Sequence, residues 1–245
     1  FLVKSKKCNF QQSIEWGEVK KEWKKDLAVV RNKDGKITIQ SQPSIKAAEI
    51  AVEGFEKLSN LKILDLCAAP GSKSMAMSLL CDSADITSND LTENKIEKIK
   101  ENAERLGAEN ISYSVYDATK LNEEWIDAFD IVLLDAPCSG LGLLRRKPDI
   151  RWNREEYDIE SLAAIQKKIL DNAIKYVKNS GRLVYSTCTF GEAENEKVVS
   201  RLNKSECWEP ELINNNNYLK YSSLDEDADG FFISRFKKIR KLELV

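Results

Sequence analysis

Histidine is absent from this 245-residue chain. Its absence removes the usual general base of enzymes and the commonest protein ligand of zinc. Acid–base chemistry therefore falls to Asp, Glu, Lys, Cys or water, and we expect no metal site.

Long apolar runs and a secretory signal are also missing. No segment approaches the length of a transmembrane helix, and the chain begins at Phe1 without a charged and apolar leader. Six cysteines occur but no Cys-x-x-Cys pair, so we expect buried or catalytic thiols rather than disulfides. The expectation is a cytoplasmic, monomeric protein without membrane contact, and the start at Phe1 leaves room for a missing N-terminal domain.

The chain lacks an excess of positive charge as well. Its net charge is −2 and its isoelectric point is about 5.6. This balance argues against binding nucleic acid through bulk charge, although a local basic patch is compatible with it. With 42% hydrophobic and 32% charged residues, the composition is that of an ordinary globular domain.

The stretch 61–73, LKILDLCAAPGSK, predicts a buried strand followed by a tight turn, and the amphipathic segment after it predicts a helix. In an α/β sheet, such a unit presents backbone N–H groups to an anionic or polar ligand. Gly71 is expected to let a ligand approach the backbone, since it lacks a Cβ. An ordinary turn without a ligand explains the same stretch equally well.

The glycine spacing argues against NAD and ATP, two common phosphate-bearing ligands. The chain contains neither G-x-G-x-x-G nor G-x-x-x-x-G-K-[ST]: the segment 140–145 lacks the third glycine of the first motif, and the segment 71–74 lacks the earlier glycine of the second. We therefore expect a cofactor that carries an adenosine group but no phosphates.

Strands alternate with helices along the rest of the chain. This alternation predicts a doubly wound, mostly parallel, seven-stranded α/β sheet over residues 41–245. Residues 1–40 are expected to form a small basic N-terminal element, compatible with the remnant of a preceding RNA-binding region. Residues 192–202 are predicted as a helix, and residues 231–236 as a last, antiparallel edge strand.

Three carboxylates follow predicted strands, namely Asp90, Asp117 and Asp135. The carboxyl ends of parallel strands meet at one edge of a sheet, where ligands bind. Asp90 lies 19 residues after Gly71, near the spacing of a ribose-binding acid, and Asp117 is placed to meet an adenine. Each acid alone is as well explained as a helix cap or a solvated loop, but the series of three favours a cofactor site.

Two thiols also follow strands. Cys138 lies three residues after Asp135, and Cys188 lies at the end of the next predicted strand. Because neighbouring strands are about 5 Å apart, both thiols can face one cleft. Two buried structural cysteines and a disulfide are the alternatives, and spacing alone does not rank the two thiols.

Three motifs together resemble those of the RNA (cytosine-5) methyltransferases, which use S-adenosyl-L-methionine. They are the segments 67–73 (CAAPGSK), 135–140 (DAPCSG) and 186–189 (STCT). The segments 143–152 and 229–232 are similar to the bacterial branch that modifies small-subunit ribosomal RNA, and the resemblance covers about residues 37–237. Ser72 departs from the pattern, because the family usually has a second glycine there; serine fits unless the position needs a positive φ.

The resemblance implies roles for the motif residues. Cys188 would be the nucleophile, Cys138 would assist release of the product, and Asp135 would lie between the cofactor and the target base. In the related DNA enzymes the cysteine after the proline attacks, which would point to Cys138 instead. Asp90 would hold the ribose of the cofactor and Asp117 would lie by its adenine. The loop that lines the cofactor would consist of Cys67, Ala68, Ala69, Pro70, Gly71, Ser72 and Lys73.

The chemistry can be reasoned directly. A thiolate that adds to carbon 6 of cytosine makes carbon 5 nucleophilic, so covalent catalysis divides one difficult step into easier ones. An ordinary thiol has a pKa of about 8.5, which must be lowered near neutral pH. Without histidine, Lys73, Arg145 and Arg146 are the candidate cations. The target base must be unpaired or flipped out of its stack.

A basic run containing one tryptophan follows the Cys138 motif. We expect it to grip the RNA backbone while the indole stacks on a base. A solvated loop anchored by the tryptophan is the alternative. The expected RNA-binding residues are Arg145, Arg146, Lys147, Arg151 and Trp152.

The sequence thus predicts a methyltransferase that acts on carbon 5 of cytosine in RNA, with small-subunit ribosomal RNA favoured over transfer RNA by resemblance alone. An adenine amino-group methyltransferase usually has an aromatic residue where Cys138 stands. The alternative of another class is an inactive RNA-binding or ribosome-assembly factor with the same fold.

Overall fold

The computed structural model describes residues 2–4, 37–222 and 228–240. The strands in these segments are β1 (Leu2–Lys4), β2 (Ile37–Ile39), β3 (Lys62–Asp65), β4 (Asp85–Asp90), β5 (Ile111–Val115), β6 (Phe129–Asp135), β7 (Val177–Thr187), β8 (Trp208–Pro210), β9 (Tyr218–Tyr221) and β10 (Phe231–Lys238). The α-helices are α1 (Gln42–Val52), α2 (Ser72–Leu80), α3 (Glu93–Leu106), α4 (Glu156–Tyr176) and α5 (Glu196–Val199).

Eight of the strands form one sheet, in the order β5-β4-β3-β6-β7-β10-β8, with β9 also paired to β10. The four pairs among β3, β4, β5, β6 and β7 are parallel, whereas β10 is antiparallel to its three neighbours. The chain winds outward from β3 in one direction and returns through β6 in the other. The fold is therefore the expected doubly wound α/β architecture, in which ligands bind beyond the carboxyl ends of the strands.

Alternating residues of the central strands pack against two different layers. Ile63 and Leu133 belong to the core cluster that contains the buried faces of α1, α2 and α3. Leu64 and Leu134 belong to the cluster that contains α4. All four side chains are fully buried. Because a strand alternates its side chains between faces, a sheet covered on both sides needs the continuous apolar runs that the sequence shows.

The outer edge of the sheet differs from the prediction. The sheet has eight strands rather than seven, because the short strands β8 and β9 share the position beyond β10, pairing with residues 236–238 and 231–234 respectively. The expectation of an edge strand at 231–236 is therefore wrong: β10 is antiparallel, but it lies inside the sheet. Phe232 and Ile233 in this strand are fully buried.

Two helices show how far local signals reach. Thr92 and Gly107 flank α3, and Gly107 adopts the left-handed conformation with φ 68°, which is typical of a glycine at the end of a helix. The helix predicted over 192–202 is wrong in extent, since only Glu196–Val199 is α-helical. Asn195 has non-helical backbone angles there, and its side chain bonds to residues at the end of β7.

The strands β1 and β2 form a separate antiparallel pair. Most of the predicted N-terminal element, residues 5–36, lies outside the described residues, so the division of the chain at residue 40 stays a prediction. Within the described segments, no helix combines the length and apolar character needed to cross a bilayer.

Candidate active site

A cavity of about 310 Å³ opens at the carboxyl ends of the parallel strands. Its walls come from the residues that follow β3, β4, β5, β6 and β7, and from one side of α4. The site residues predicted from sequence that line it are Cys67, Ala69, Asp90, Asp117, Asp135, Cys138 and Cys188. The fold thus brings the three acids and the two thiols to one place.

Asp90 holds the turn that follows β3. Its Oδ2 accepts a hydrogen bond from the backbone N–H of Ala69 (2.9 Å). Its Oδ1 accepts from the backbone N–H of Leu91 (2.7 Å) and from Nζ of Lys95 (2.8 Å). The carboxylate is nearly buried, so these bonds fix both the turn and the acid at the cavity wall.

Glycine is required at position 71 for a different reason from the one expected. It adopts φ 96°, and a Cβ there would lie 3.0 Å from Cγ2 of Ile99 in α3. Backbone conformation and packing against α3, rather than the approach of a ligand, require glycine. Ser72 begins α2 without a positive φ, so its departure from the family pattern causes no backbone strain. Ala68, Pro70, Gly71, Ser72 and Lys73 are outside the cavity lining.

Asp117 lies at the rim of the cavity. Its Oδ1 accepts hydrogen bonds from the hydroxyl (2.7 Å) and the backbone N–H (3.0 Å) of Thr119, and these bonds lower the pKa of Asp117. The residue therefore presents a carboxylate to the cavity, as a partner for a hydrogen-bond donor.

Asp135 connects the turn after β3 with the two thiols. Its Oδ2 is 2.5 Å from Nζ of Lys73, and its Oδ1 accepts from the hydroxyl of Ser186 (2.7 Å). Burial acts to lower the pKa of Lys73, but the charge of Asp135 and its hydrogen bond outweigh burial, so the pKa is raised. Lys73 is therefore a buried, fixed cation beside the cavity.

The Sγ atoms of Cys138 and Cys188 are 3.2 Å apart, and both cysteines are free. The hydrogen bond with Cys138 lowers the pKa of Cys188 in spite of burial, and the charge of Lys73 acts in the same direction. The same hydrogen bond, together with burial, raises the pKa of Cys138. Of the two thiols, Cys188 has the lowered pKa and Cys138 the raised one, and Lys73 is a candidate cation from the sequence that acts on the pKa of Cys188.

Asp65, at the end of β3, has no signal in the sequence that marks it as a site residue. It is fully buried, and its Oδ2 accepts from the hydroxyl of Ser74 (2.6 Å), which in turn accepts from Ser88 (2.8 Å). Burial raises the pKa of Asp65 to about 7. Because the folded pKa lies above the unfolded one, this group stabilises the fold fully at low pH and loses that contribution as the pH rises towards 7.

The basic segment 145–152 lies mainly on the surface. Trp152 is 83% exposed, and Lys147 and Arg151 are exposed with it. Arg146 instead forms a two-point ion pair with Asp229, with distances of 2.9 Å and 2.5 Å. The segment therefore presents an indole and cations to solvent, while Arg146 anchors it to the residues before β10.

Two glycines bring the same segments into backbone contact. Gly142 donates its N–H to the carbonyl of Cys188 (3.0 Å), and Gly230 donates to the carbonyl of Gly142 (2.9 Å). The sequence motif at 229–232 thus lies against the segment that follows Cys138, and Gly142 in that segment contacts the backbone of Cys188.

A family model described as 16S rRNA methyltransferase RsmB/F matches residues 55–237. The chain belongs to this family. It is 40% identical over 168 residues to the probable ribosomal RNA small subunit methyltransferase B of Bacillus subtilis, covering 68% of this chain and 37% of that protein. It is 36% identical to ribosomal RNA small subunit methyltransferase B of Photorhabdus laumondii, covering 83% of this chain and 47% of that protein.

The fold is also that of a solved relative. The crystal structure of NSun6 from Pyrococcus horikoshii with SFG superimposes with a TM-score of 0.74 at 32% identity, covering 85% of this chain and 54% of that chain. Membership of the family confirms the resemblance drawn from the motifs. The chain spans less than half the length of the two curated relatives.

Proposed function

We propose that the chain methylates carbon 5 of a cytosine in small-subunit ribosomal RNA with S-adenosyl-L-methionine as cofactor. The observation that carries the proposal is the pair of free thiols 3.2 Å apart, beside Asp135, in the cavity at the carboxyl ends of the strands. This reaction needs one thiol to attack, and a second thiol beside it can assist release of the product. Membership of an rRNA methyltransferase family supports the RNA substrate.

S-adenosyl-L-methionine is the cofactor that the family implies, and the cavity suits it. Asp90 and Asp117 supply acceptors for the ribose hydroxyls and the adenine amino group, and Ile165 and Ile169 supply an apolar wall. Asn89 Oδ1 is a buried acceptor at the cavity wall without a partner among the described residues, which suits a ligand donor. When bound, this cofactor supplies an electrophilic methyl group.

Cys188 begins the reaction. Its thiolate adds to carbon 6 of the base, and the electron density moved onto carbon 5 makes that atom reactive towards the methyl group. The carboxylate of Asp135, held by Lys73 and Ser186, is placed to accept a hydrogen bond from the protonated ring nitrogen. Lys73 thus stabilises both the thiolate before attack and the acid that meets the base.

Cys138 completes the reaction as a base. Its pKa is raised chiefly by its hydrogen bond to Cys188, with burial and the charge of the Cys188 thiolate adding to the effect. Once Cys188 is bonded to carbon 6 it carries no charge, so the first and third of these causes disappear. Cys138 then gives its own proton to water more readily and, as a thiolate, can accept the proton of carbon 5, directly or through water. The electron pair of the broken carbon 5–hydrogen bond restores the double bond between carbons 5 and 6, and the bond from carbon 6 to sulfur breaks as the Cys188 thiolate leaves.

The RNA would approach across the basic segment. Lys147 and Arg151 suit phosphates, and the exposed indole of Trp152 suits stacking on an unpaired base. Because the thiols lie inside a cavity, the target cytosine must leave its stack to reach them. Transfer RNA is the alternative substrate for the same chemistry.

The test is a covalent-adduct assay. Wild type, Cys138→Ala and Cys188→Ala are each mixed with small-subunit ribosomal RNA and S-adenosyl-L-methionine and separated on a denaturing gel. A stable protein–RNA band is expected with Cys138→Ala and none with Cys188→Ala, because only the first variant can attack without releasing. Cys207→Ala, which alters a cysteine outside the cavity lining, should behave as wild type.

The other outcomes are equally informative. A band with Cys188→Ala alone would exchange the roles of the two thiols. Binding of the cofactor and RNA by wild type without methyl transfer would favour the assembly factor over the enzyme. A methyl group found on an adenine amino group would refute the cytosine chemistry.

A further inference from the structure

Glu194 is a buried carboxylate with three hydrogen bonds. Its Oε1 accepts from the backbone N–H of Ser139 (2.8 Å) and from Nε2 of Gln166 (3.0 Å), and its Oε2 accepts from the Ser139 hydroxyl (2.6 Å). No Lys or Arg in the described part of the chain forms an ion pair with it. Because burying a charge without a cation opposes folding, stability alone does not account for Glu194.

Ser139 extends the contact of Glu194 to both thiol loops. It directly follows Cys138, and its hydroxyl lies 3.0 Å from Oγ1 of Thr189, which directly follows Cys188. A carboxylate that fixes both the N–H and the hydroxyl of Ser139 therefore fixes the distance between the two loops.

Asn195, the next residue, holds the second loop on both sides of its cysteine. Its Oδ1 accepts from the hydroxyl of Thr187 (2.5 Å), and its Nδ2 donates to the carbonyl of Thr189 (3.1 Å). The hydroxyl of Tyr185 donates to the main-chain carbonyl of Glu194 (2.5 Å). The segment 194–195 thus binds the thiol loop of β7 through Asn195 and the other thiol loop through Glu194.

We infer that Glu194 is a positioning residue, which sets the two thiol loops so that the sulfur atoms of Cys138 and Cys188 stay 3.2 Å apart, close enough for one thiol to donate a hydrogen bond to the other. Glu194 is not part of the cavity lining and would act through Ser139 and through Gln166, whose Nε2 also donates to the carbonyl of Pro137 (2.8 Å). The thiol that donates keeps its proton, and the thiol that accepts carries the negative charge and reacts faster. The inference rests on the proposed function only for its catalytic consequence, since the state of the thiols is measurable without RNA or cofactor.

The test is the rate at which iodoacetamide alkylates Cys188 in the whole chain, measured against pH by peptide mass spectrometry. In wild type, Cys188 should react before Cys138 and with an apparent pKa below that of an ordinary thiol. Ser139→Ala and Thr189→Val each remove one hydroxyl with little change in volume. Each is expected to raise that apparent pKa by about one unit, which slows alkylation at pH 7 about tenfold.

Two variants of Glu194 separate hydrogen bonding from charge. Glu194→Gln keeps the size of the side chain and an acceptor for Ser139, so it should retain most of the wild-type preference for Cys188. Glu194→Ala should lose the preference for Cys188. Where Glu194→Ala does not fold, as judged by near-ultraviolet circular dichroism, Ser139→Ala decides the question alone.

Ser78→Ala is the matched control, since Ser78 is a fully buried, hydrogen-bonded serine of α2 outside the cavity lining. Its Cys188 profile should match that of wild type. An unchanged profile in folded Ser139→Ala and Thr189→Val would overturn the inference. If the profile shifts as expected while wild type transfers no methyl group to RNA, the proposed function fails and the positioning role of Glu194 stands.

Discussion

The contact between Gly142 and Gly230 allows a prediction with its own internal control. A Cβ on Gly142 would overlap the carbonyl oxygen of Gly230 and would lie 2.7 Å from the carbonyl oxygen of Cys188. Both neighbours are backbone atoms, so no side chain can move aside. Gly142→Ala must therefore separate the Cys138 segment from the start of β10.

The expected magnitude follows from the steric clash and from the hydrogen bonds that the clash breaks. Forcing a methyl group into a packed site costs about 1–3 kcal/mol, and each of the two backbone hydrogen bonds of Gly142 contributes about 1 kcal/mol. A decrease of about 3–5 kcal/mol in the free energy of unfolding is expected. For a chain of this size, that decrease lowers the melting temperature by about 6–20 °C.

Gly191→Ala is the control. Gly191 has no heavy atom within 4 Å of an added Cβ and no positive φ. Both substitutions restrict the unfolded chain equally, by about 0.4–1 kcal/mol. The difference between the two variants in urea unfolding therefore measures the clash itself. Equal stabilities would show that the two segments do not touch in solution, and the placement of Cys188 against residue 142 would be wrong.

Three further predictions concern the cofactor, the buried acid and the RNA surface. Asp90→Ala should weaken S-adenosyl-L-methionine binding about 10- to 100-fold in calorimetry, because hydrogen bonds to a charged group contribute about 1.5–3 kcal/mol. Asp85→Ala, at the other end of β4, is the control and should change the affinity little. Equal affinities of Asp90→Ala and wild type would show that Asp90 does not bind the cofactor. The pKa of Asp65 is about 7 in the folded chain and about 3.9 in the unfolded chain, so wild type loses stability as the pH rises, whereas Asp65→Asn does not titrate. The free energy of unfolding of Asp65→Asn relative to wild type should therefore increase by about 3 kcal/mol from pH 5 to pH 8. A constant difference across that range would show that Asp65 is not buried as described. Trp152→Ala should weaken RNA binding about 5- to 150-fold in a titration without altering cofactor affinity, since stacking contributes about 1–3 kcal/mol per base. Tyr113→Ala on β5 removes another exposed aromatic side chain and is the control, which should leave RNA binding unchanged.

The local sequence pattern is sufficient to predict the parallel part of the sheet. The continuous apolar runs of β3 and β6 serve a sheet covered on both faces, and strict alternation between strands and helices fixes parallel winding. The outer edge of the sheet is harder to predict, because β8 has three residues and β9 has four. Strands of this length are too short to show a pattern in the sequence. Their pairing with β10 satisfies the backbone of that eight-residue, mostly buried strand, which has β7 on its other side.

The candidate site likewise contains residues that the sequence predicts and residues that it does not. Residues that follow long strands, such as Asp90 and Cys138, could be predicted because strand ends meet at one edge. Glu194 could not, since a glutamate in a charged segment has the sequence pattern of an exposed helix. Its burial depends on Ser139 and Gln166, which are 55 and 28 residues away and offer it donors only after the sheet has formed. A polar group that the fold buries and satisfies through distant partners has no local signal, so the part of this site that sets the thiols can be found only in the structure.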